Sequence, residues 1–133
     1  MEKIITSGKR KTAVARAVLT TGSGNVKINN RDYKTRQLFD RLKIEEPLKI
    51  AEAILGKTNF DVSINVKGGG EKGQVEAARL ALARALVKFS DSKKLAAAFQ
   101  EYDRNLIVAD VRRKETYKPG DSKARSKRQK SFR

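Results

Sequence analysis

Gly68, Gly70 and Gly73 stand in the spacing G-x-G-x-x-G, behind an alternating apolar run and ahead of a helical one. Glycines so placed leave backbone amides bare at the start of a helix, where partial positive charge collects and a phosphate can sit. A dinucleotide site needs more: the first turn of a large parallel sheet, and an acid about 20 residues on at the end of a second strand. Asp91 has nearly that spacing but lies beyond the helix. The dinucleotide reading fails, which leaves a contact for a polyanion backbone or a turn that merely needs glycine. Valine at Gly69 or Gly70 is therefore expected to disturb polyanion binding more than alanine at Gly22. Gly56-Lys57-Thr58 resembles the end of a P-loop, but position 51 is Ala51 and the stretch follows a helix, so Gly56 reads as a helix stop.

Other chemistry has few residues to work with. The chain contains no Cys and no His, which removes thiolate nucleophiles, disulfides, His bases and Cys/His metal sites. No acid pair stands beside a candidate nucleophile; Glu45-Glu46 and Glu101/Asp103 read as solvated helix-end charges. No enzyme, cofactor, metal or small-molecule substrate is expected. No apolar run approaches the ~20 residues of a membrane span, and MEKIITSGKRK lacks a signal-peptide apolar region. A soluble intracellular chain without a membrane partner is expected.

What the chain does have is cations. Its 133 residues carry 31 Lys+Arg against 15 Asp+Glu, a net +16, and half of that excess falls in residues 112–133. A polyanionic partner follows. Gly8-Lys9-Arg10-Lys11-Thr12 places three cations in a loop ahead of a strand that carries Arg16. Arg112-Arg113-Lys114 follows the last apolar run, and SKARSKRQKSFR closes the sequence. That closing stretch cannot bury a core, and such segments order on a partner.

The elements that must position these residues show in the periodicity. Thr12 to Thr20 alternates, with Ala13, Ala15, Ala17 and Leu19 on one face, small enough for a helix to pack close. Gly22-Ser23-Gly24 predicts a turn into Asn25–Ile28 as a hairpin partner. Residues 35–42 suggest a short helix and 46–55 a firmer one, with Pro47 in its first turn. Phe60 to Val66 alternates. Gln74 to Phe89 is the strongest helix: Val75, Ala78, Leu82, Leu86 and Phe89 cluster on one side, and Ala77, Ala81, Arg84 and Lys88 form the opposite strip. Leu80 and Val87 lie away from the cluster, so the helix is expected to be covered on more than one side. Residues 93–102 continue helical and 106–111 return to strand. The order ββααβααβ reads as an α+β two-layer sandwich, a four- to five-stranded mixed sheet packed by helices. Residues 1–111 form the body and residues 112–133 a long basic C-terminal extension.

SGKRKTAVARAVL with GSGNVKIN, then VKGGGEKGQVEAARLALARAL, then DVRRKETYKPGDSKARSKRQKSFR together resemble the family of small-ribosomal-subunit protein nine, in the family's order over nearly the whole chain. The ending QKSFR is similar to the archaeal and eukaryotic branch. The resemblance implies a left-handed βαβ crossover, an exception to the usual hand. It also implies binding to the 3′ major domain of small-subunit rRNA, beside neighbouring head proteins in the cytoplasmic ribosome. Contacts to rRNA are then expected at Lys9, Arg10, Lys11, Arg16, Gly68, Gly69, Gly70, Lys72, Arg84, Lys88, Arg112, Arg113, Lys114, Lys123, Arg125, Lys127 and Arg128. By the same resemblance the tip, Lys130, Ser131, Phe132 and Arg133, reaches the anticodon stem-loop of peptidyl-site tRNA; Phe132 stands where the branch usually has Tyr. The other reading of the basic segments is a free nucleic-acid-binding protein, an assembly factor or a chromatin-associated protein.

Overall fold

The computed structural model describes residues 3–56, 59–112 and 116–117. Five strands form one mixed sheet: β1 (Ile4–Arg10), β2 (Ala13–Thr21), β3 (Val26–Ile28), β4 (Arg31–Asp32) and β5 (Phe60–Lys67). Three helices, α1 (Leu38–Leu55), α2 (Glu71–Ser90) and α3 (Lys93–Tyr102), complete the α+β body. The spatial order is β1-β2-β5-β3-β4.

β1 was legible only as a loop, because IITSGKR lacks clean alternation. It pairs antiparallel with β2, from Ile4 opposite Leu19 to Arg10 opposite Ala13. The turn between them places Lys11 at φ 54. The expected β2–β3 hairpin does not form: β5 lies between them, antiparallel to β2 and parallel to β3. Asp61 near the start of β5 explains the difference. Its Oδ1 accepts the backbone N–H groups of Ser23, Gly24 and Asn25 at 3.1, 3.2 and 3.0 Å. The turn after β2 therefore wraps over the start of β5 instead of folding back. The three amides, Asn25 foremost, hold the Asp61 carboxyl below its ordinary pKa.

One face of the sheet is closed by α2. Ala13, Ala15 and Ala17 from β2, and Ala77, Ala78, Ala81 and Ala85 from α2, are all fully buried. At Gly8 a Cβ would lie 2.4 Å from the Ala77 carbonyl. Helix and sheet thus approach through their smallest residues, and Leu19, Phe60, Ile64, Leu82 and Leu86 fill the space around that contact. Nine residues of α2 are buried, so it is covered on more than one side. Phe89 is the exception within the expected core face: it is 38% exposed and meets Phe60 edge-on at 6.0 Å.

Three further departures have local causes. α1 is one helix, with Pro47 inside it. The lost hydrogen bond there is outweighed by burial of Ile44, Pro47 and Ala51 on the same side. Glu46 and Asp103 are not solvated ends, since Arg79 on α2 pairs with both at 2.5 and 3.3 Å and ties the three helices together. Residues 106–111 are not a strand. A 3-10 turn, Arg104–Leu106, buries Leu106 completely, and the chain then runs on without a ladder while Val108 and Val111 stay exposed.

Candidate nucleic-acid interface

Among the described residues the face of the sheet away from α2 carries no helix, and its side chains are set by strand parity. Residues directly opposite share a face. One row runs Lys9–Val14–Lys67 across β1, β2 and β5, and the next runs Ser7–Arg16–Asn65. Lys9 and Lys67 therefore stand about 10 Å apart, two strand spacings, with Arg16 beside them in the adjacent row. All three are exposed and carry no ion pair among the described residues. Lys27 lies on the same face, opposite Ser63 of β5 and Asp32 of β4.

Two acids share this face, and both are committed to backbone. Asp61 holds the Ser23–Asn25 amides, and Asp32 Oδ1 accepts the Lys34 N–H at 3.0 Å. They lie toward the β3–β4 end, near Lys27. Lys9, Arg16 and Lys67 stay uncompensated. Val14 at 43% exposure, Ser7 and Asn65 stand between them, apolar and hydrogen-bonding surface interleaved with charge. Such a surface attracts phosphate and also offers donors to sugars and bases. Around the β1 edge the cationic surface continues: Ile5, Thr6, Ser7, Arg16, Arg84 and Lys88 line one groove, and Lys88 is exposed and makes no ion pair among the described residues.

The glycine run sits at the opposite end of β5, where Lys11, Thr12, Gly69, Gly70, Lys72 and Gly73 line a second concavity. Gly68 and Gly69 have φ of 78 and 66. A Cβ at Gly68 would lie 2.6 Å from the Thr12 carbonyl, and one at Gly69 3.0 Å from Ala13. These two glycines serve the turn and its close approach to the β1–β2 hairpin. Gly70 is different: it is the N-cap of α2 at φ −89, and a Cβ there would meet nothing within 4 Å. Its opening leaves the first amides of α2 accessible, although Glu71 in that first turn competes for them. Lys72 Nζ lies 3.1 Å from Oδ1 of the fully buried Asp40, while its own side chain is 63% exposed.

The remaining candidates divide. Arg10 points away from the open face and is largely covered, with ion pairs to Glu76 and Asp110, both at 2.6 Å. Arg84 gives its guanidinium to the Ile107 and Ser7 carbonyls, both at 2.9 Å. Both side chains are thus already engaged within the body, an engagement the sequence did not indicate. Arg112 is 75% exposed and chelates Asp110. Arg113, Lys114, Lys123, Arg125, Lys127, Arg128, Lys130, Ser131, Phe132 and Arg133 lie outside the described residues. Sequence reasoning missed Lys67 and Lys27; the signal was parity, since both continue the polar alternation of an apolar strand.

A cavity of about 420 Å³ under α1 and α2 is charged, lined by Lys43, Glu46, Glu76, Arg79 and Asp103 among others, but these pair with one another. Among the described residues no helix is long and apolar enough to cross a membrane.

A mixed sheet packed by helices on one face and left cationic on the other among the described residues defines a small basic α+β protein. The chain belongs to the ribosomal protein S9/S16 family, which it matches over residues 8–133. That is a family of structural ribosome constituents, not of enzymes, and the match takes in the whole basic segment from Arg112 onward. Full-length archaeal relatives agree. The small ribosomal subunit protein uS9 of Thermoplasma acidophilum is 50% identical over 133 residues, covering 98% of this chain and all of that protein. Its counterparts in Thermoplasma volcanium and Methanococcus vannielii are 49% and 43% identical over 136 residues, with both chains covered completely.

Proposed function

We propose that this chain is a structural protein of the head of the small ribosomal subunit in the cytoplasm, binding the 3′ major domain of the rRNA and neighbouring head proteins. Its body, residues 1–111, presents the open sheet face and the concavity beside Gly70 to RNA. The basic extension, residues 112–133, runs on among the rRNA, and Lys130, Ser131, Phe132 and Arg133 reach the peptidyl-site tRNA. The parallel β3–α1–β5 connection is taken to have the family's left-handed crossover. Lys9, Lys11, Arg16, Lys67, Lys72 and Lys88 are the body's RNA-facing cations, joined by Arg112, Arg113, Lys114, Lys123, Arg125, Lys127 and Arg128 in the extension.

The observation that carries the assignment of the face is the unbalanced trio Lys9, Arg16 and Lys67. Lys/Arg contacts to phosphate release counterions, so their number sets the salt dependence of binding. The test is sedimentation of small subunits through gradients of rising salt. The intact protein should stay with the particle, whereas Lys9→Ala/Arg16→Ala/Lys67→Ala should be released at lower salt, with a log–log slope flatter by up to ~1 per lost contact. A variant that sediments like the parent at every salt concentration assigns the face to solvent. An intact protein stripped at modest salt would fit the free nucleic-acid-binding reading instead.

A further inference from the structure

Residues 107–112 follow α3 with no strand partner among the described residues, yet the structure ties them to the body at two points and braces them internally at a third. The first is Arg84 on α2. Its Nε donates to the Ile107 carbonyl and its Nη1 to the Ser7 carbonyl on edge strand β1, each at 2.9 Å, so one planar guanidinium spans strand and strap. The second is Arg10 on β1, whose Nη1 lies 2.6 Å from Asp110 Oδ2, with only 14% and 12% of the two side chains exposed. This contact is an ion pair without hydrogen-bond alignment. Arg10 Nε is meanwhile held by Glu76 Oε2 on α2 at 2.6 Å. The third is Asp110 itself, whose Oδ1 accepts the Arg112 backbone N–H at 2.9 Å while both oxygens grip the Arg112 guanidinium. A buried anchor, Leu106, precedes all three.

We propose that Arg10, Arg84 and Asp110 are positioning residues: they latch residues 107–112 across β1 and α2 and fix where, and with what heading, the basic segment leaves the body at Arg112. This rests on the reading that the segment beyond Arg112 contacts RNA. It gives the two half-buried arginines a task distinct from phosphate binding. Their charge is largely taken up by Glu76, Asp110 and two carbonyls.

The test uses the full chain, which contains no Cys and so takes spin labels cleanly at Glu52→Cys on α1 and Thr116→Cys beyond the strap. Pulsed electron resonance reads the distance distribution between the two labels. Arg10→Gln or Asp110→Asn should broaden it about twofold, as a local opening does. Combining the two should broaden it by less than the sum of the single effects, because they share the Arg10–Asp110 contact while each also loses one of its own, to Glu76 or to Arg112. Asp110→Glu should retain the narrow distribution. Far-UV circular dichroism and the urea midpoint check that the body stays folded; Arg84→Lys, which keeps the charge and loses the fork, serves if Arg10→Gln does not fold. Widths unchanged in all loss variants overturn the latch. In reconstituted small subunits the latch variants should still be incorporated but hold peptidyl-site tRNA several-fold more weakly. Should a chain lacking Ser131–Arg133 hold that tRNA normally, the tRNA contact of the tip fails, while the label distances still decide the latch.

Discussion

Gly68, Gly69 and Gly70 are chemically identical neighbours with different obligations. The first two combine positive φ with a carbonyl or a β-carbon pressed against them, whereas Gly70 faces open space. Gly68→Ala should therefore cost about 1–2 kcal/mol for the left-handed conformation alone, and more for the Thr12 contact. Gly70→Ala should change stability by no more than about 0.5 kcal/mol. Urea unfolding midpoints of the two variants check this. If Gly70→Ala nevertheless weakens rRNA binding, the opening beside α2 touches RNA. Gly22, expected to tolerate alanine, does not offer the room: its Cβ would fall 2.1 Å from the Asp61 carboxylate. The three-glycine run was visible in the sequence, but which glycine carries which duty depends on Thr12 and Ala13, brought there by a distant hairpin. The same holds for Lys9 and Arg10. On a strand they must face opposite ways, but IITSGKR gave no alternation from which to assign the faces.

At the scale of elements, legibility followed periodicity. α3 spans residues 93–102 as its pattern indicated, and α2 and β5 extend only slightly beyond the predicted limits. The pairing of β3 was not legible, because turn residues announce that the chain bends and not which strand it will meet. Asp61 supplies the missing instruction, and it can be tested. Since Asp61 titrates below its ordinary value of 3.8, its ionised form stabilises the fold. That contribution is complete above the unfolded-state pKa and is lost as pH falls through the lowered folded value. Asp61→Asn should lower the urea midpoint at pH 7, and the gap to the parent should close as pH drops from 5 toward 3. A gap of constant size across that range would mean that the turn is held by shape and not by charge. Residues 106–111 misled for a related reason: their apolar run is real, but the edge of β1 is met there by the Arg84 side chain, so the segment was fixed without becoming a strand.

At the scale of the whole molecule, charge is divided between a body that neutralises itself internally and surfaces that do not. Arg10, Arg79 and Arg112 are spent on Glu46, Glu76, Asp103 and Asp110. Residues 112–133 hold half of the +16, and Lys9, Arg16 and Lys67 on the open sheet face carry part of the rest. If the open face and the extension each contact RNA, as proposed, their functions are separable. Removing Ser131–Arg133 takes one Arg and leaves every cation of the body, together with Arg112 to Lys130, in place. Incorporation into small subunits should be unaffected. Peptidyl-site tRNA should bind more weakly by roughly 1–3 kcal/mol, the worth of one charge-assisted hydrogen bond to phosphate when water is excluded. Arg133→Lys separates geometry from charge, because Lys supplies a point charge where Arg supplies a planar fork. If bidentate contact matters, Lys restores only part of the affinity lost in Arg133→Ala; if charge alone matters, it restores nearly all. Filter binding of tRNA to reconstituted subunits reads both. Unchanged binding after truncation would leave the tip as the end of an rRNA-bound extension, with the body's open face carrying the anchoring.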